Sequence, residues 1–152
     1  MNSLLCPQHE SKHKSKIVSF PMKEYTTEIR VRYAETDQMG FVYYGTYATY
    51  LEVARVEMLR AAGISYKELE SEGIIMPVTH FEINYSKPAR YDDLLQIQTS
   101  IVSLSHVRVE FKYVISTSEE RICEARTTLV FLDAKTLRPV RRPEHLSHLL
   151  AS

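Results

Sequence analysis

One helix-length run of this sequence is apolar on almost every side. Residues 47–62 place apolar side chains at helical spacing, and Val53, Val56 and Leu59 occupy the faces between them. A helix without a polar face is stable only where other elements enclose it. Gly63 follows the run, and glycine tolerates the left-handed conformation in which helices often end. The run therefore predicts one long helix that the rest of the chain surrounds.

The remaining apolar runs alternate with polar residues, as half-buried strands do. One such run begins at Tyr25, before the helix, and four follow it. Short turns between consecutive strands favour antiparallel pairing, so we predict an α+β fold with about five strands curved round one central helix. The side chains expected to share one face of each strand are Thr27, Ile29, Val31 and Tyr33; Phe81, Ile83 and Tyr85; Leu95, Ile97 and Ile101; Val107, Val109, Phe111, Tyr113 and Ile115; and Cys123, Ala125, Leu129 and Phe131.

The other segments complete a one-domain organisation. Ser65 and Glu68 fit a capping box at the start of a second, short helix, and Gly73 ends it. Residues 1–22 are polar and aperiodic, so we interpret them as a flexible tail before a single domain of residues 23–152.

Composition excludes several classes of function. Nineteen Lys and Arg balance nineteen Asp and Glu, which disfavours broad nucleic-acid binding. No apolar run has the length of a membrane span, so we expect no membrane insertion. Two cysteines make no disulfide framework and the first residues lack a secretory pattern, so we expect a cytoplasmic protein.

The segment between the first strand and the long helix carries an acid, Asp37, and two glycines, Gly40 and Gly45. Glycine permits tight turns and close approach of another molecule. The first N–H groups of a helix lack intrahelical partners and carry partial positive charge. From spacing alone Asp37 is a partner of the helix dipole, a general base or nucleophile, or a solvated loop acid.

The run RYAETDQMGFVYYGTYATYLEVARVEMLRAAG resembles the hotdog-fold thioesterases of the 4-hydroxybenzoyl-CoA thioesterase family. Within that family it is similar to the bacterial acyl-CoA thioesterases often encoded with the Tol–Pal envelope system. A second run, YSKPARYDDLLQIQTSIVSL, resembles the family's second-strand segment. The residues that match the family's patterns are Asp37, Gly40, Val42, Tyr43 and Tyr47, then Tyr85, Pro88, Ala89, Asp92 and Asp93. The resemblance extends from about Tyr25 to Pro139. One residue departs from it: many of the closer relatives have histidine where this chain has Tyr44, although 4-hydroxybenzoyl-CoA hydrolases have tyrosine.

The resemblance implies hydrolysis of acyl-CoA thioesters to free acid and CoA. Asp37 would attack the thioester carbonyl or activate a water, and the backbone N–H of Tyr44 would stabilise the oxyanion. It also implies a homodimer or homotetramer, and an acyl carrier protein is a second possible donor. The residues expected to bind substrate are Gly40, Val42, Tyr43, Gly45, Tyr47, Lys87 and Arg90, the last two as cations for the CoA phosphates.

We expect no cofactor and no metal ion. His145 and His148 have a metal-like spacing, but no third ligand type lies nearby in sequence. Glu52, on the long helix, is a candidate second carboxylate because another thioesterase clade uses a helix glutamate. The favoured interpretation is that Glu52 forms an ion pair with Arg55, one turn later, or caps a neighbouring backbone group.

Three other functions stay open. A hydratase or dehydratase on the same fold would need a histidine working with the acid. A non-catalytic acyl-thioester binding module would bind its ligand without help from Asp37. An unrelated α+β binding domain is the third alternative.

Overall fold

Five strands form one antiparallel sheet, in the spatial order Glu24–Arg30, Leu94–Leu104, Arg108–Ser116, Arg121–Val130 and Val78–Tyr85. The computed structural model describes residues 24–150, so the predicted tail of residues 1–22 lies outside the described residues. The strands are β1 (Glu24–Arg30), β2 (Ile74–Ile75), β3 (Val78–Tyr85), β4 (Leu94–Leu104), β5 (Arg108–Ser116), β6 (Arg121–Val130) and β7 (Leu132–Asp133). The helices are α1 (Thr46–Ala61) and α2 (Tyr66–Ser71), with 3₁₀ segments at Tyr33–Glu35 and Glu144–Leu150.

The register of the sheet follows the alternation in the sequence. Ile97 of β4 lies opposite Ile115 of β5, and Phe111 of β5 lies opposite Thr127 of β6. The inward positions of these strands are almost completely buried, because alternate side chains point to the same face. The predicted α+β architecture, with a five-stranded sheet and one long helix, is confirmed.

Helix α1 packs only one side against the rest of the chain. Its buried residues are Tyr47, Tyr50, Leu51, Ala54, Arg55, Met58 and Leu59. Val53 is 40% exposed and Glu52 is also exposed. The expectation that this helix is enclosed on all sides is therefore wrong for the single chain, since one sheet covers only one side of it.

The predictions for helix ends, for the cap of α2 and for Tyr33 have different outcomes. Gly63 and Gly73 have φ of +81°, which confirms that they end the two helices. Ser65 is the N-cap of α2 but makes no side-chain capping bond, so the predicted capping box is wrong. Tyr33 is 78% exposed because the chain leaves the sheet after Arg30 and turns into the 3₁₀ segment.

The pairing of β2 with β7 was not predicted. Two-residue strands are too short to show an alternating pattern.

Within residues 24–150, no helix combines the length and the apolar composition needed to cross a membrane.

Candidate active site

Asp37 lies in a tight loop that closes on itself between β1 and α1. The backbone N–H of Asp37 donates to the Phe41 carbonyl at 2.8 Å, and the Gly40 N–H donates to the Asp37 carbonyl at 3.0 Å. Thr36 and Val42 pair as an isolated bridge at the base of the loop. Gly40 has φ of +77°, a conformation that side chains disfavour, so this turn requires glycine.

The carboxylate of Asp37 has one anchored oxygen and one free oxygen. Oδ1 accepts the Met39 N–H at 2.9 Å and, at 3.4 Å, the Phe41 N–H. Oδ2 accepts no hydrogen bond from the described residues, and the side chain is half-buried. The loop therefore orients the carboxylate and leaves one oxygen available for reaction.

The start of α1 presents an unused backbone donor. The Tyr43 N–H donates to the Glu35 carbonyl at 2.9 Å, and the Thr46 N–H donates to the Tyr43 carbonyl at 2.9 Å. Between them, the N–H of Tyr44 finds no acceptor among residues 24–150. Free N–H groups at a helix N-terminus attract negative charge, so this position suits an oxyanion.

Gly45 is the N-cap of α1 and has an ordinary helical φ of −69°. A Cβ on Gly45 would lie 2.7 Å from Cε1 of Tyr43. The glycine therefore makes room for the Tyr43 ring, whose centroid is 4.7 Å from that of Tyr44.

Asp37 and Tyr44 line the same cavity, which has a volume of about 310 Å³. This volume is typical of small-molecule sites. Tyr47 and Tyr85 form aromatic walls, with ring centroids 5.3 Å apart. The Tyr85 hydroxyl donates to the Tyr44 carbonyl at 3.0 Å, which ties β3 to the start of α1. The other lining residues are Met39, Phe41, Val42, Ser86, Lys87 and Pro88.

Tyr47 and Tyr85, which line the cavity, and Cys123, which lies opposite Tyr85 in the sheet, are unsuited to act as bases. Burial raises the pKa of Tyr47 to about 12, and burial likewise raises the pKa of Tyr85. Burial also raises the pKa of the Cys123 thiol to about 12. At neutral pH these groups keep their protons, and a protonated thiol is a weak nucleophile. Asp37 is the one carboxylate that lines this cavity among the described residues.

Glu35 anchors the Asp37 loop to α1. Oε2 of Glu35 accepts the Tyr50 hydroxyl at 2.7 Å and the Arg32 N–H at 2.8 Å, and Oε1 accepts Nη2 of Arg32 at 2.6 Å. Burial alone would raise the pKa of Glu35, but hydrogen bonds from Arg32 and Tyr50 lower it overall. Tyr50 is 2% exposed, so a charged carboxylate and a buried phenol join the loop to the helix.

The structure brings only some of the predicted site residues together. Asp37, Tyr44, Val42, Tyr47 and Lys87 line the Asp37 cavity. Gly40 lines a separate opening beside Asp37, of about 720 Å³. Tyr43 does not line the Asp37 cavity and is 48% exposed.

Arg90 lies on the other side of the loop. Its guanidinium carbon is 4.7 Å from the centre of the Phe41 ring, a cation–π arrangement. With Lys87 it lines a polar cavity of about 660 Å³ that also contains Arg30 and four carboxylates. Lys87 lies 3.7 Å from Glu120.

Sequence reasoning placed neither Tyr85 nor Glu35 in the site. The alternation of β3 indicated which face Tyr85 occupies, but not that this face meets the start of α1. Glu35 precedes Asp37 by two residues, and its partner Tyr50 is 15 residues away in sequence. Both contacts depend on how the loop docks on the helix, which periodicity does not specify.

The predicted ion pair between Glu52 and Arg55 is wrong. Arg55 is buried and donates to the hydroxyls of Tyr66 and Tyr113 instead. Glu52 is exposed on the outer side of α1.

Among the residues that the structure describes, no three His, Cys, Asp or Glu side chains are grouped as metal ligands.

Known proteins are similar to this chain in both sequence and fold. The family model of the thioesterase-like superfamily matches residues 31–150. The acyl-CoA thioester hydrolase YbgC of Escherichia coli O6:H1 is 34% identical over 78% of this chain and 89% of its own length. The putative acyl-CoA thioesterase YneP of Bacillus subtilis is 31% identical over 75% of this chain and 83% of its own length.

A solved structure of a DHNA-CoA thioesterase from Staphylococcus aureus superposes with a TM-score of 0.77. It is 39% identical and covers 79% of this chain and 81% of its own chain. The hotdog fold expected from the two sequence runs is confirmed.

Proposed function

The chain belongs to the thioesterase-like superfamily and is an acyl-CoA thioester hydrolase, and we propose that Asp37 and the Tyr44 N–H perform the reaction. One observation carries this proposal. Asp37, which has one carboxylate oxygen free of hydrogen bonds, and Tyr44, whose backbone N–H is unused, line a single cavity.

The chemistry needs a nucleophile or base and an oxyanion donor. The free oxygen of Asp37 attacks the thioester carbon, or accepts a proton from a water that attacks it. The carbonyl oxygen becomes negatively charged and is held by the Tyr44 N–H, which is worth on the order of 10²–10³ in rate. The carbon–sulfur bond then breaks and CoA leaves as a thiolate. On the nucleophilic route, water hydrolyses the acyl–aspartate anhydride and restores Asp37.

The leaving group explains why a carboxylate suffices. Thiols are much stronger acids than alcohols or amines, with a pKa of about 8.5 for cysteine, so the thiolate departs without a strong acid to protonate it. A carboxylate nucleophile or base, unlike a serine hydroxyl, needs no neighbouring base to activate it. The site therefore needs no histidine, and none lines the Asp37 cavity among the described residues.

The test is thiol release from short, medium, long and aromatic acyl-CoAs. We expect Asp37→Ala to lower kcat by at least a thousandfold while the protein stays folded. Glu72→Ala is the matched control, because Glu72 is an exposed acid at the end of α2. A folded Asp37→Ala protein with native turnover would overturn the catalytic role. Acyl-CoA binding without turnover by the native chain would favour the binding module.

We also propose that the protein is a homodimer, paired through β3. This strand is an edge of the sheet, with Val78 and Tyr85 each 47% exposed and Phe81 43% exposed. An unpaired edge with exposed apolar side chains favours pairing with a second copy. A homotetramer would be formed from two such dimers.

The acyl carrier protein as an alternative donor and the cytoplasmic location stay predictions. The same thiol-release assay with acyl carrier protein thioesters tests the first of them. Cell fractionation with an antibody against the chain tests the second.

A further inference from the structure

The backbone of Tyr44 is held through carbonyl groups on both sides of its Cα. The carbonyl of Tyr43 accepts the Thr46 N–H at 2.9 Å, and the carbonyl of Tyr44 itself accepts the Tyr85 hydroxyl at 3.0 Å. Among the described residues, no backbone N–H donates to the Tyr44 carbonyl. Of the two bonds, only the one from Tyr85 comes from a side chain. It is therefore the one that a substitution removes while the backbone stays the same.

The sheet fixes where the Tyr85 hydroxyl lies. Tyr85 is the last residue of β3 and pairs with β6. Directly after it, the N–H groups of Ser86 and Lys87 both donate to the Ile122 carbonyl, at 2.9 and 3.0 Å. The Tyr85 ring also packs edge-on against the ring of Tyr47, at 5.3 Å between centroids. A tyrosine side chain has only two torsions, so a packed ring on an anchored strand end holds its hydroxyl in one place.

The Tyr85 hydroxyl keeps the proton that this bond needs. Burial raises the pKa of Tyr85 above the ordinary tyrosine value of about 10. The hydroxyl therefore donates to the Tyr44 carbonyl at neutral and mildly alkaline pH alike. Any effect of this bond on turnover should be the same throughout that range.

We propose that Tyr85 is a positioning residue for the oxyanion donor, an inference that rests on the proposed role of the Tyr44 N–H. That N–H has no acceptor among residues 24–150, while the carbonyl of the same residue is tied to β3. Fixing the carbonyl restricts the rotation of Tyr44 and so keeps its N–H in one direction. A donor that is aimed before charge develops needs no reorganisation when the substrate reacts.

The effect of this bond belongs to the transition state and not to bound substrate. The thioester oxygen is neutral in the substrate and becomes negatively charged in the tetrahedral intermediate. A poorly aimed N–H therefore loses more interaction with the intermediate than with the substrate, which lowers kcat with little change in KM. Loss of a whole oxyanion donor costs on the order of 10²–10³ in rate, so a donor that is present but less well aimed costs about tenfold.

Tyr85→Phe removes the hydroxyl and keeps the ring that lines the Asp37 cavity. In the thiol-release assay we expect kcat to fall about tenfold, by the same factor from about pH 6 to pH 9, and KM to stay within about twofold of the native value. Tyr66→Phe is the matched control, because the Tyr66 hydroxyl also makes a hydrogen bond, with Nε of Arg55 at 2.9 Å, but lies outside the Asp37 cavity. It should lower the free energy of unfolding and leave kcat unchanged.

Two CoA analogues separate binding of the intermediate from binding of the substrate. A trifluoromethyl ketone analogue of an acyl-CoA adds water at its carbonyl and so mimics the tetrahedral intermediate. An alkyl-CoA thioether has no carbonyl oxygen. Measured by calorimetry, Tyr85→Phe should raise the Kd of the ketone about tenfold, in parallel with the loss of kcat/KM, and leave the Kd of the thioether unchanged.

NMR relaxation of the backbone tests the same inference without any substrate. We expect the Tyr44 N–H of the native protein to have an order parameter of about 0.85, as rigid backbone does. Tyr85→Phe should lower the Tyr44 value clearly, and Tyr66→Phe should not. If the native chain hydrolyses no CoA ester, the proposed function fails, and this measurement still decides whether Tyr85 holds the Tyr44 N–H.

Four results overturn the proposal. The first is a Tyr85→Phe protein that is less stable but has native kcat. The second is a rise in KM with native kcat, or an equal loss of affinity for both analogues, which would make Tyr85 only a wall of the cavity. The third is an unchanged order parameter at Tyr44. The fourth is a loss of kcat that accompanies a fall in mass in analytical ultracentrifugation, since Tyr85 lies on the edge strand β3.

Discussion

Tyr50 and Glu35 connect the two groups on which the proposed chemistry depends. Glu35 lies at the base of the loop that carries Asp37, and Tyr50 lies on the helix whose start presents the Tyr44 N–H. Their 2.7 Å hydrogen bond therefore fixes the acid relative to the donor. Catalytic groups lose efficiency when their positions shift by about 1 Å, so this bond is a positioning contact.

Tyr50→Phe removes the hydroxyl and keeps the buried ring. We expect kcat to fall about tenfold with little change in KM, because the loop is less well held but the cavity walls remain. The free energy of unfolding should fall by about 2 kcal/mol, as for hydrogen bonds to charged groups. Steady-state kinetics and urea unfolding measure both effects. Tyr25→Phe, on β1 and outside the site, should change neither quantity. A change in KM without a fall in kcat would contradict a positioning role for Tyr50.

Glu35 also makes a specific prediction about acid. Its pKa is lowered in the folded state, so its contribution to stability is complete above the ordinary glutamate pKa of about 4.3 and is lost as the pH falls through the lowered value. Glu35→Gln should therefore destabilise the protein at pH 7 and show a shrinking difference from the native chain towards pH 3. Urea unfolding at several pH values measures this. A difference that stays constant with pH would contradict a charged Glu35, and Glu28→Gln on the exposed side of β1 is the control.

At the scale of elements, strong periodicity was sufficient to predict most of the fold. Five residues of β5 and its flank alternate without interruption, and β5 is found where they predict it. The failures involve elements without a period of their own. Tyr33 continues the alternation of β1 but belongs to a 3₁₀ turn, and Ser65 has the right type and position for a cap without making the bond. The way these connecting segments pack on the sheet and helices determines both outcomes.

Gly40 and Gly73 allow a test in which one variant serves as the control of the other. Gly40 and Gly73 have almost the same φ, +77° and +81°. A Cβ on Gly40 would meet only Nη1 of Arg90 at 3.8 Å, and one on Gly73 would meet nothing within 4 Å. Both changes to alanine should therefore cost a similar free energy of unfolding, about 1–2 kcal/mol, from backbone strain alone.

Only Gly40→Ala should also lower activity, because Gly40 closes the loop that orients Asp37. We expect a fall in kcat of about tenfold for Gly40→Ala and native kcat for Gly73→Ala. Equal activity losses in the two variants would mean that stability, and not loop geometry, limits turnover. Thiol release and thermal unfolding on the same samples separate the two causes.

At the scale of the whole molecule, the exposed sides of α1 and β3 indicate where a second copy would pair. The sequence predicted a helix that needs enclosure, and the single chain leaves Val53 on its open side. The sequence therefore carried information about a surface that one chain does not cover. It did not indicate Arg55 as a buried cation, because its partners are tyrosines 11 and 58 residues away.

Phe81→Lys tests the proposed pairing through β3. Two subunits related by symmetry would bring two lysines into one apolar interface, and charges in such an interface are strongly unfavourable. We expect the molecular mass in analytical ultracentrifugation to fall to that of a monomer. Val102→Lys is the control, since Val102 is similarly exposed, at 44%, but lies on β4, which pairs with a strand on each side. A dimer that survives Phe81→Lys would place the interface elsewhere.

The balance of charge in the 660 Å³ polar cavity has a consequence for how substrate arrives. Three cations and four carboxylates line it, and it shares Lys87 and Pro88 with the Asp37 cavity. A lining of nearly balanced charge produces little long-range field, so this cavity does not steer polyanions by diffusion. Capture of a CoA ester then depends on short-range contact. Its association rate should be nearly independent of ionic strength, and free nucleotides should compete poorly for the entrance.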